Sequence, residues 1–178
     1  MSVTQGAGVV RQTGTGELTL LGDNKDYSGT LNLANGTVVL GAANAIKAGT
    51  VAFSGGTLKY GSGIQTDVSK NLKIDKDTVA TVNTNGQVVN FANTIGTQTA
   101  TLAKIGSGTL SLASTPGSAL NLRVDEGLLT GVDLLSGTRS VTVADKASLN
   151  TTLTQDTNYG GTMVSRGEVL ISNAGPFQ

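Results

Sequence analysis

The sequence predicts an all-β chain that winds as a parallel β-helix, or β-solenoid, with about 20 residues in each turn. One motif recurs at this fixed distance, as Gly16-Glu17-Leu18-Thr19-Leu20, Gly36-Thr37-Val38-Val39-Leu40 and Gly56-Thr57-Leu58-Lys59-Tyr60. A similar series follows near the C-terminus, as Gly127-Leu128-Leu129, Ala147-Ser148-Leu149 and Gly167-Glu168-Val169. Helical periodicity is almost absent, and short alternating segments dominate. Equal spacing of this kind marks units that bury their apolar side chains by stacking on their neighbours.

Stacking of this kind places equivalent side chains of successive coils in contact. We expect three inward columns, Leu18/Val38/Leu58, Leu20/Leu40/Tyr60 and Leu129/Leu149/Val169. Because parallel strands lie about 4.8 Å apart, about eight or nine coils would form a rod roughly 40 Å long.

The individual strands are predicted from apolar side chains that alternate with polar ones, as half-buried strands require. These apolar sets are Leu18/Leu20, Leu31/Leu33, Val51/Phe53, Leu58/Tyr60, Leu72/Ile74, Leu110/Leu112, Leu120/Leu122/Val124, Val141/Val143 and Val169/Ile171. Each set is bounded by Gly, Asn, Asp or Ser, which tolerate tight turns.

The Asn-Gly steps between strands allow two interpretations. Asn35-Gly36 and Asn85-Gly86 could close two-residue hairpins in an antiparallel sandwich. They could equally form corners between the faces of one coil. Hairpins impose no equal spacing on equivalent glycines, so the 20-residue period favours the solenoid.

The register of the repeat slips between residues 61 and 107, where we expect an irregular coil or a bulging loop. Gly106-Ser107-Gly108-Thr109-Leu110 restarts the motif out of phase with Gly56. Thr115-Pro116-Gly117-Ser118 is the strongest internal turn signal, and Asp133 to Ser140 is predicted to protrude as a loop.

Composition limits the partners that the chain can have. The 178 residues suit a single domain spanning 1–178, and no linker divides them. With 12 basic and 12 acidic residues the net charge is +0, which argues against a nucleic-acid partner and favours self-association. No apolar run approaches the ~20 residues that cross a bilayer, so we expect no direct membrane insertion by this segment. The start of the chain lacks signal-peptide features, and we expect a fragment of a longer precursor.

Several residue patterns could in principle carry chemistry. Cys and His are absent from the sequence, which removes thiols and imidazole ligands. The remaining patterns are Gly14-Thr15-Gly16 for phosphate, Asp75/Asp77 and Asp125/Glu126 for acid–base catalysis, Asp23/Asn24/Asp26 for Ca²⁺, Ser69-Lys70 for nucleophilic catalysis, Arg166-Gly167-Glu168 for receptor binding, and Asn35 and Asn150 for glycosylation. Turn formation or a solvated strand edge explains each of them more simply, so we predict no catalytic, cofactor-binding or metal residues and no cofactor.

The segment from Arg11 to Gly41 resembles the autotransporter-associated β-strand repeat. The resemblance lies in Thr13-Gly14-Thr15-Gly16-Glu17-Leu18-Thr19-Leu20, the turn at Asn24 and Tyr27-Ser28-Gly29-Thr30. Lys104 to Leu112 looks like the start of a second copy that lacks the tyrosine-containing half. The resemblance implies a right-handed parallel β-helix in the secreted passenger region of a Gram-negative autotransporter, displayed at the cell surface beyond the outer membrane. It implies no catalytic residues.

These observations predict a non-catalytic surface module that acts as an adhesin or stalk and contributes to virulence. Its Thr, Ser and Asn ladders would offer hydrogen bonds to a glycan, to a host surface or to another copy of the chain. The alternative is a polysaccharide-cleaving lyase or hydrolase on the same scaffold, although the low aromatic content of 3% leaves few platforms for sugar rings. A trimeric fibre segment is a third, weaker interpretation.

Overall fold

The computed structural model describes residues 6–46, 49–95, 98–117, 119–136, 140–154 and 159–173. Within these ranges the chain forms 17 short strands, one 3₁₀ helix at Ser69–Asn71 and no α-helix. The strands are β1 Val9–Gln12, β2 Glu17–Leu20, β3 Thr30–Leu33, β4 Thr37–Leu40, β5 Thr50–Phe53, β6 Thr57–Tyr60, β7 Leu72–Ile74, β8 Val79–Asn83, β9 Val88–Phe91, β10 Ala100–Ile105, β11 Thr109–Leu112, β12 Leu120–Val124, β13 Gly127–Val132, β14 Ser140–Val143, β15 Ala147–Leu153, β16 Thr162–Ser165 and β17 Glu168–Asn173.

The strands stack into three parallel sheets. The N-terminal sheet has the order β1-β3-β5-β7, the central sheet runs from β2 through every even-numbered strand to β16, and the C-terminal sheet has the order β9-β11-β13-β15-β17. Each strand pairs with the strand two places along the chain, so one coil of backbone lies over the next. The eight strands of the central sheet give a β-solenoid of about eight turns, as predicted.

The predicted columns are confirmed by the strand register. Leu18 pairs with Val38 and Val38 with Leu58, while Leu20, Leu40 and Tyr60 are paired in the same way. Leu129, Leu149 and Val169 form the third column. The antiparallel interpretation of the Asn-Gly steps is wrong, because every strand pair of the described chain is parallel. The right-handed coil stays a prediction.

The core is a stack of aliphatic layers with a few rings. Successive side chains of a strand point to opposite faces, so every second residue enters the interior. Tyr60, Phe53 and Phe91 are the largest fully buried side chains, and leucine, valine and alanine fill most of the other inward positions.

The Asn-Gly steps form corners between sheets. Gly36 has φ 59°, and the second corner combines Asn85 at φ 48° with Gly86 at φ 81°. This left-handed backbone is costly for most residues but accessible to glycine and asparagine. The corners therefore turn the chain within one coil instead of reversing it.

The register slip has a topological explanation. Up to β8, the glycine corner joins a strand of the N-terminal sheet to a strand of the central sheet. From β8 onward, the corner joins a central strand to a strand of the C-terminal sheet. The repeating unit of strand, corner and strand is thus shifted to the next pair of sheets. Strand β8 is the second strand of the last unit before the shift and the first strand of the first unit after it.

An irregular segment accompanies this shift, as predicted between residues 61 and 107. The loop that precedes β7 lies against the start of the C-terminal sheet. Gly63 N donates to Gln87 Oε1 at 3.0 Å, and Ala92 N donates to Asp67 Oδ2 at 3.1 Å. In the first bond the side chain of Gln87, just before β9, accepts from the loop backbone, and in the second a loop carboxylate accepts from the backbone just after β9. The loop thus covers β9, which is the edge strand of the C-terminal sheet.

Two predicted loops had different outcomes. Thr115 to Gly117 lies outside the strands, between β11 and β12, and Gly117 N donates to Ile95 O at 2.9 Å. Ser118, the last residue of the predicted turn, lies outside the described residues. The protruding loop predicted from Asp133 to Ser140 is wrong in its first part. Leu134 is 0% and Leu135 5% exposed, so this segment folds into the core. Residues 137–139 lie outside the described ranges.

Candidate functional site

Columns of small polar side chains stand on the outer faces of the solenoid. On the central sheet, Thr101, Asn121, Ser140 and Thr162 occupy equivalent positions in four successive strands. Ser140 Oγ donates to Asn121 Oδ1 at 2.9 Å, and Asn121 Nδ2 donates to Ala100 O at 3.2 Å. Residues at the same register face outward together, which gives the polar ladder expected from the sequence.

The C-terminal sheet carries a second ladder, which we call the C-terminal ladder. Its members are Asn90, Ser111, Thr130, Asn150 and Leu170, each paired with the next. Most of these side chains end in a hydroxyl or an amide, which can both donate and accept hydrogen bonds.

A shallow cleft of about 240 Å³ opens beside the C-terminal ladder. It is lined by Leu128, Ser148, Asn150, Glu168 and Leu170. Ser148 Oγ donates to Glu168 Oε2 at 3.3 Å, which places one carboxylate among apolar and amide groups. A surface of this kind can hold a polar ligand by hydrogen bonds above an apolar floor.

Lys104 is buried in the interior of the solenoid. It is 0% exposed and stands at an inward position between Val82 and Val124 of the neighbouring strands. Its Nζ donates to the backbone carbonyls of Gly106 and, at 3.0 Å, Glu126. Burial lowers the pKa of Lys104 to about 8, because the charged form loses its hydration, while the charge of Glu126 acts in the opposite direction.

Gln12 occupies the corresponding place at an N-terminal corner. Its Nε2 donates to Gly14 O at 3.1 Å and to Gly16 O at 3.0 Å. The glycines Gly106 and Gly108 stand in the same spacing after Lys104 as Gly14 and Gly16 after Gln12. Because the neutral amide of Gln12 also donates to the carbonyls of its corner, we interpret the buried Lys104 as a structural hydrogen-bond donor. This role was not predicted from the sequence, although Lys104 lies two residues after Leu102 and therefore points inward with it.

Two tyrosines repeat one contact on different faces of the solenoid. Tyr27 Oη lies 2.9 Å from Thr30 O, and Tyr159 donates its hydroxyl to Thr162 O at 2.9 Å. Tyr159-Gly160-Gly161-Thr162 is therefore a counterpart of Tyr27-Ser28-Gly29-Thr30, and it was not predicted from the sequence. The first precedes a strand of the N-terminal sheet and the second a strand of the central sheet.

The candidate acidic pair Asp75 and Asp77 lies in an exposed turn after β7 rather than on one strand face. Asp75 Oδ2 accepts from Ser54 Oγ at 2.5 Å, and Asp77 pairs with Lys76 at 3.8 Å. The two carboxylates thus have separate partners. The other acidic pair is also divided, because Arg123 Nε binds Asp125 at 2.9 Å while Glu126 is exposed.

The candidate calcium ligands form a turn. Asp23 Oδ1 accepts from Lys25 N at 3.2 Å, and the buried Asn24 donates to Ala45 O at 3.0 Å. Across the part of the chain that the structure describes, no three acidic side chains come close enough to hold a metal ion.

The other candidates are separated or engaged in the fold. Ser69 Oγ is buried and accepts from Asn93 N at 3.0 Å, whereas Lys70 is exposed. Gly14-Thr15-Gly16 forms an exposed corner before β2, without a following helix. Arg166 pairs with Asp145 at 3.6 Å, and a Cβ at Gly167 would collide with the carbonyls of the preceding coil.

Comparison of the chain with protein families, with curated proteins and with solved structures finds no match. No described helix has the length and apolar character needed to cross a bilayer.

Proposed function

We propose that the chain is a non-catalytic module of a surface-displayed protein, which acts as a stalk and binds through its outer ladders. The observation that supports this proposal is the uninterrupted central sheet, whose eight parallel strands extend the backbone along one axis. At about 4.8 Å per strand this sheet spans roughly 34 Å. A rod of this length can act as a spacer between the parts of a longer protein that adjoin its two ends.

The binding surface of the proposal is the C-terminal ladder with its adjacent cleft. Hydroxyls and amides repeat there at the spacing of the strands, and Leu128 and Leu170 supply an apolar floor. A glycan presents alternating hydroxyl and apolar patches, so it fits such a surface better than a nucleic acid or a bilayer does. A host-surface glycan is therefore the ligand class that we favour, with a second copy of the chain as the other partner.

Export and surface display belong to the same proposal. They rest on the resemblance of Thr13 to Thr30 to the autotransporter-associated repeat. Expression of the gene in its own bacterium, followed by protease treatment of intact cells, tests this part. Loss of the chain from intact cells supports display, whereas protection until lysis contradicts it.

Binding is tested with a glycan array and with host-cell surfaces. We expect the wild-type chain to bind and the triple variant Asn90→Lys, Thr130→Lys and Asn150→Lys to lose binding, because its long cations disrupt the ladder. The triple variant Thr37→Lys, Thr57→Lys and Thr81→Lys, in one column of the central sheet, adds the same charge as the matched control and keeps binding. Equal loss of binding in both variants would contradict the proposed binding surface, as would a wild-type chain that binds nothing. Only the role as a spacer would then remain.

Self-association is measured by light scattering over a range of concentrations. A mass that rises with concentration supports contact between copies, and a constant monomer mass contradicts it.

The enzyme alternative predicts turnover of a polysaccharide that Asp75→Asn or Asp77→Asn abolishes. Such turnover would replace the adhesive proposal with a lyase or hydrolase.

A further inference from the structure

The two Asn-Gly corners differ in a way that bears on their chemical stability. An Asn-Gly step deamidates when the glycine nitrogen attacks the side-chain carbonyl carbon of the asparagine and closes a five-membered succinimide ring. Glycine favours this reaction because it has no Cβ to hinder the attack. The folded structure then decides whether the nitrogen and the carboxamide are free to meet.

At the first corner the two reacting groups are already together. Gly36 N donates to Oδ1 of Asn35 at 2.8 Å, so the carboxamide is folded over the nitrogen that would attack it. The side chain of Asn35 is exposed, and water and base can reach it. The backbone nitrogen of Asn35 itself is held by Gln12 O at 3.1 Å, which anchors the step without occupying Gly36 N.

At the second corner both groups are engaged elsewhere. Gly86 N donates to Ser107 O of the next coil at 2.8 Å. Asn85 Nδ2 donates to Tyr60 O of the preceding coil at 3.0 Å. Attack at this step requires both hydrogen bonds to break first.

We propose that Asn35 is a site of spontaneous conversion to aspartate and isoaspartate, and that the fold protects Asn85 from the same reaction. The bond between Gly36 N and Asn35 Cγ forms, the bond between Cγ and Nδ2 breaks, and the nitrogen leaves as ammonia. A base from solvent takes the proton of Gly36 N, and water then opens the succinimide at either carbonyl.

The two products have different consequences for the corner. Aspartate keeps the backbone length and an oxygen for Gly36 N. Isoaspartate inserts an additional methylene into the main chain, where the first corner has little room. A Cβ at Gly36 would lie 2.5 Å from Gly16 O and in closer contact with Gly14 O. The isoaspartyl form should therefore separate this corner from the preceding one.

The experiment incubates the full chain at mildly alkaline pH and follows each Asn-Gly step by peptide mapping, with isoaspartyl methyltransferase labelling. We expect conversion of Asn35 to be roughly tenfold faster or more, because attack at the second corner must first break the hydrogen bonds of Gly86 N and Asn85 Nδ2. The same chain in denaturant is the reference, and there the two rates should converge. Asn35→Ser should abolish labelling of the corner, and Asn35→Asp reports the effect of charge without a longer main chain.

Faster loss of Asn35 in the folded chain, together with similar rates in denaturant, supports the proposal. Equal rates in the folded chain, or faster conversion of Asn85, would overturn it. An unchanged ratio between folded and denatured chain would also overturn it, because local sequence alone would then set the difference. Circular dichroism of both Asn35 variants establishes that they keep the β-structure of the wild type.

Discussion

Lys104 connects two successive coils, since its Nζ donates to the carbonyl of Glu126 at 3.0 Å and to that of Gly106 at its own corner. Lys104 belongs to an inward column of the central sheet. The four preceding members of this column are apolar: Leu18, Val38, Leu58 and Val82. A buried cation is tolerated there because corner carbonyls replace its water ligands.

Substitution of Lys104 by methionine should destabilise the fold. Methionine fills similar space but leaves the carbonyls of Gly106 and Glu126 without this donor, at a cost of about 2 kcal/mol or more. Urea unfolding at neutral pH measures the change. Lys73→Met, at an exposed position of β7, should alter stability by less than about 0.5 kcal/mol. Equal stability of Lys104→Met and wild type would mean that burying the charge costs as much as its hydrogen bonds return.

The stability of the chain should rise with pH between about 8 and 10. The pKa of Lys104 is lowered to about 8 in the folded chain against 10.5 for an ordinary lysine, so the unfolded state binds more protons in this interval. The gain should approach about 2 to 3 kcal/mol by pH 10 and be absent in Lys104→Met. Urea midpoints across this range give the slope. A wild-type slope equal to that of the variant would refute the role of Lys104.

Above pH 10 the stability should fall again. Burial raises the pKa of Tyr60 well above that of a free tyrosine, and the charge of Asp67 raises it further. The unfolded state then loses a proton that the folded state keeps, so alkaline pH favours unfolding. Tyr60→Phe should flatten this decline, although it also removes a hydrogen bond to Thr66 O. A decline of unchanged steepness in this variant would assign it to other groups.

Gly127→Ala should be among the most destabilising single-methyl changes. The added Cβ would lie 2.6 Å from Gly106 O, Gly108 O and Lys104 Nζ, and the φ of 73° at this position is costly for alanine. We expect a loss of at least about 2 kcal/mol in thermal or urea unfolding. Gly14→Ala is the control, because nothing lies within 4 Å of its Cβ. Similar losses for both variants would contradict the close approach of successive corners.

Tyr27→Phe should cost more stability than Tyr159→Phe. The hydroxyl of Tyr27 reaches Gly8 O of the preceding coil at 2.7 Å as well as Thr30 O, and the ring is buried. Loss of this contact should cost about 1 kcal/mol, measured by urea unfolding. The hydroxyl of Tyr159 is exposed where it meets Thr162 O, so its loss should have a smaller effect. The reverse order would show that the link to Gly8 contributes little.

The periodic parts of the fold could be predicted from local sequence. The glycine spacing located the corners, and the alternation of Leu18, Leu20 and their successors identified the inward columns. These features follow from the 20-residue period and the two-residue repeat of a strand, which need no knowledge of distant residues.

The candidate site was predictable only in kind. Polar ladders were expected from the Thr, Ser and Asn content. Which residues form each ladder depends on how the strands pair after the register slip, and composition does not reveal this pairing. Asp133 to Leu135 were predicted to belong to a protruding loop, because Asp, Ser and Gly residues between Asp133 and Ser140 are typical of turns. In the structure Asp133 accepts from Thr154 N at 2.8 Å, which draws the two leucines inward.

The sequence by itself determined that this chain coils, how many residues each coil takes and which side chains alternate inward, because these depend on spacing along the chain. Only the tertiary structure decided that the repeating unit moves from one pair of faces to the next at β8. It also decided that a lysine could stand in an apolar column. The reason is that both depend on which backbone carbonyls of neighbouring coils come within hydrogen-bonding distance, and contacts between coils are set by stacking.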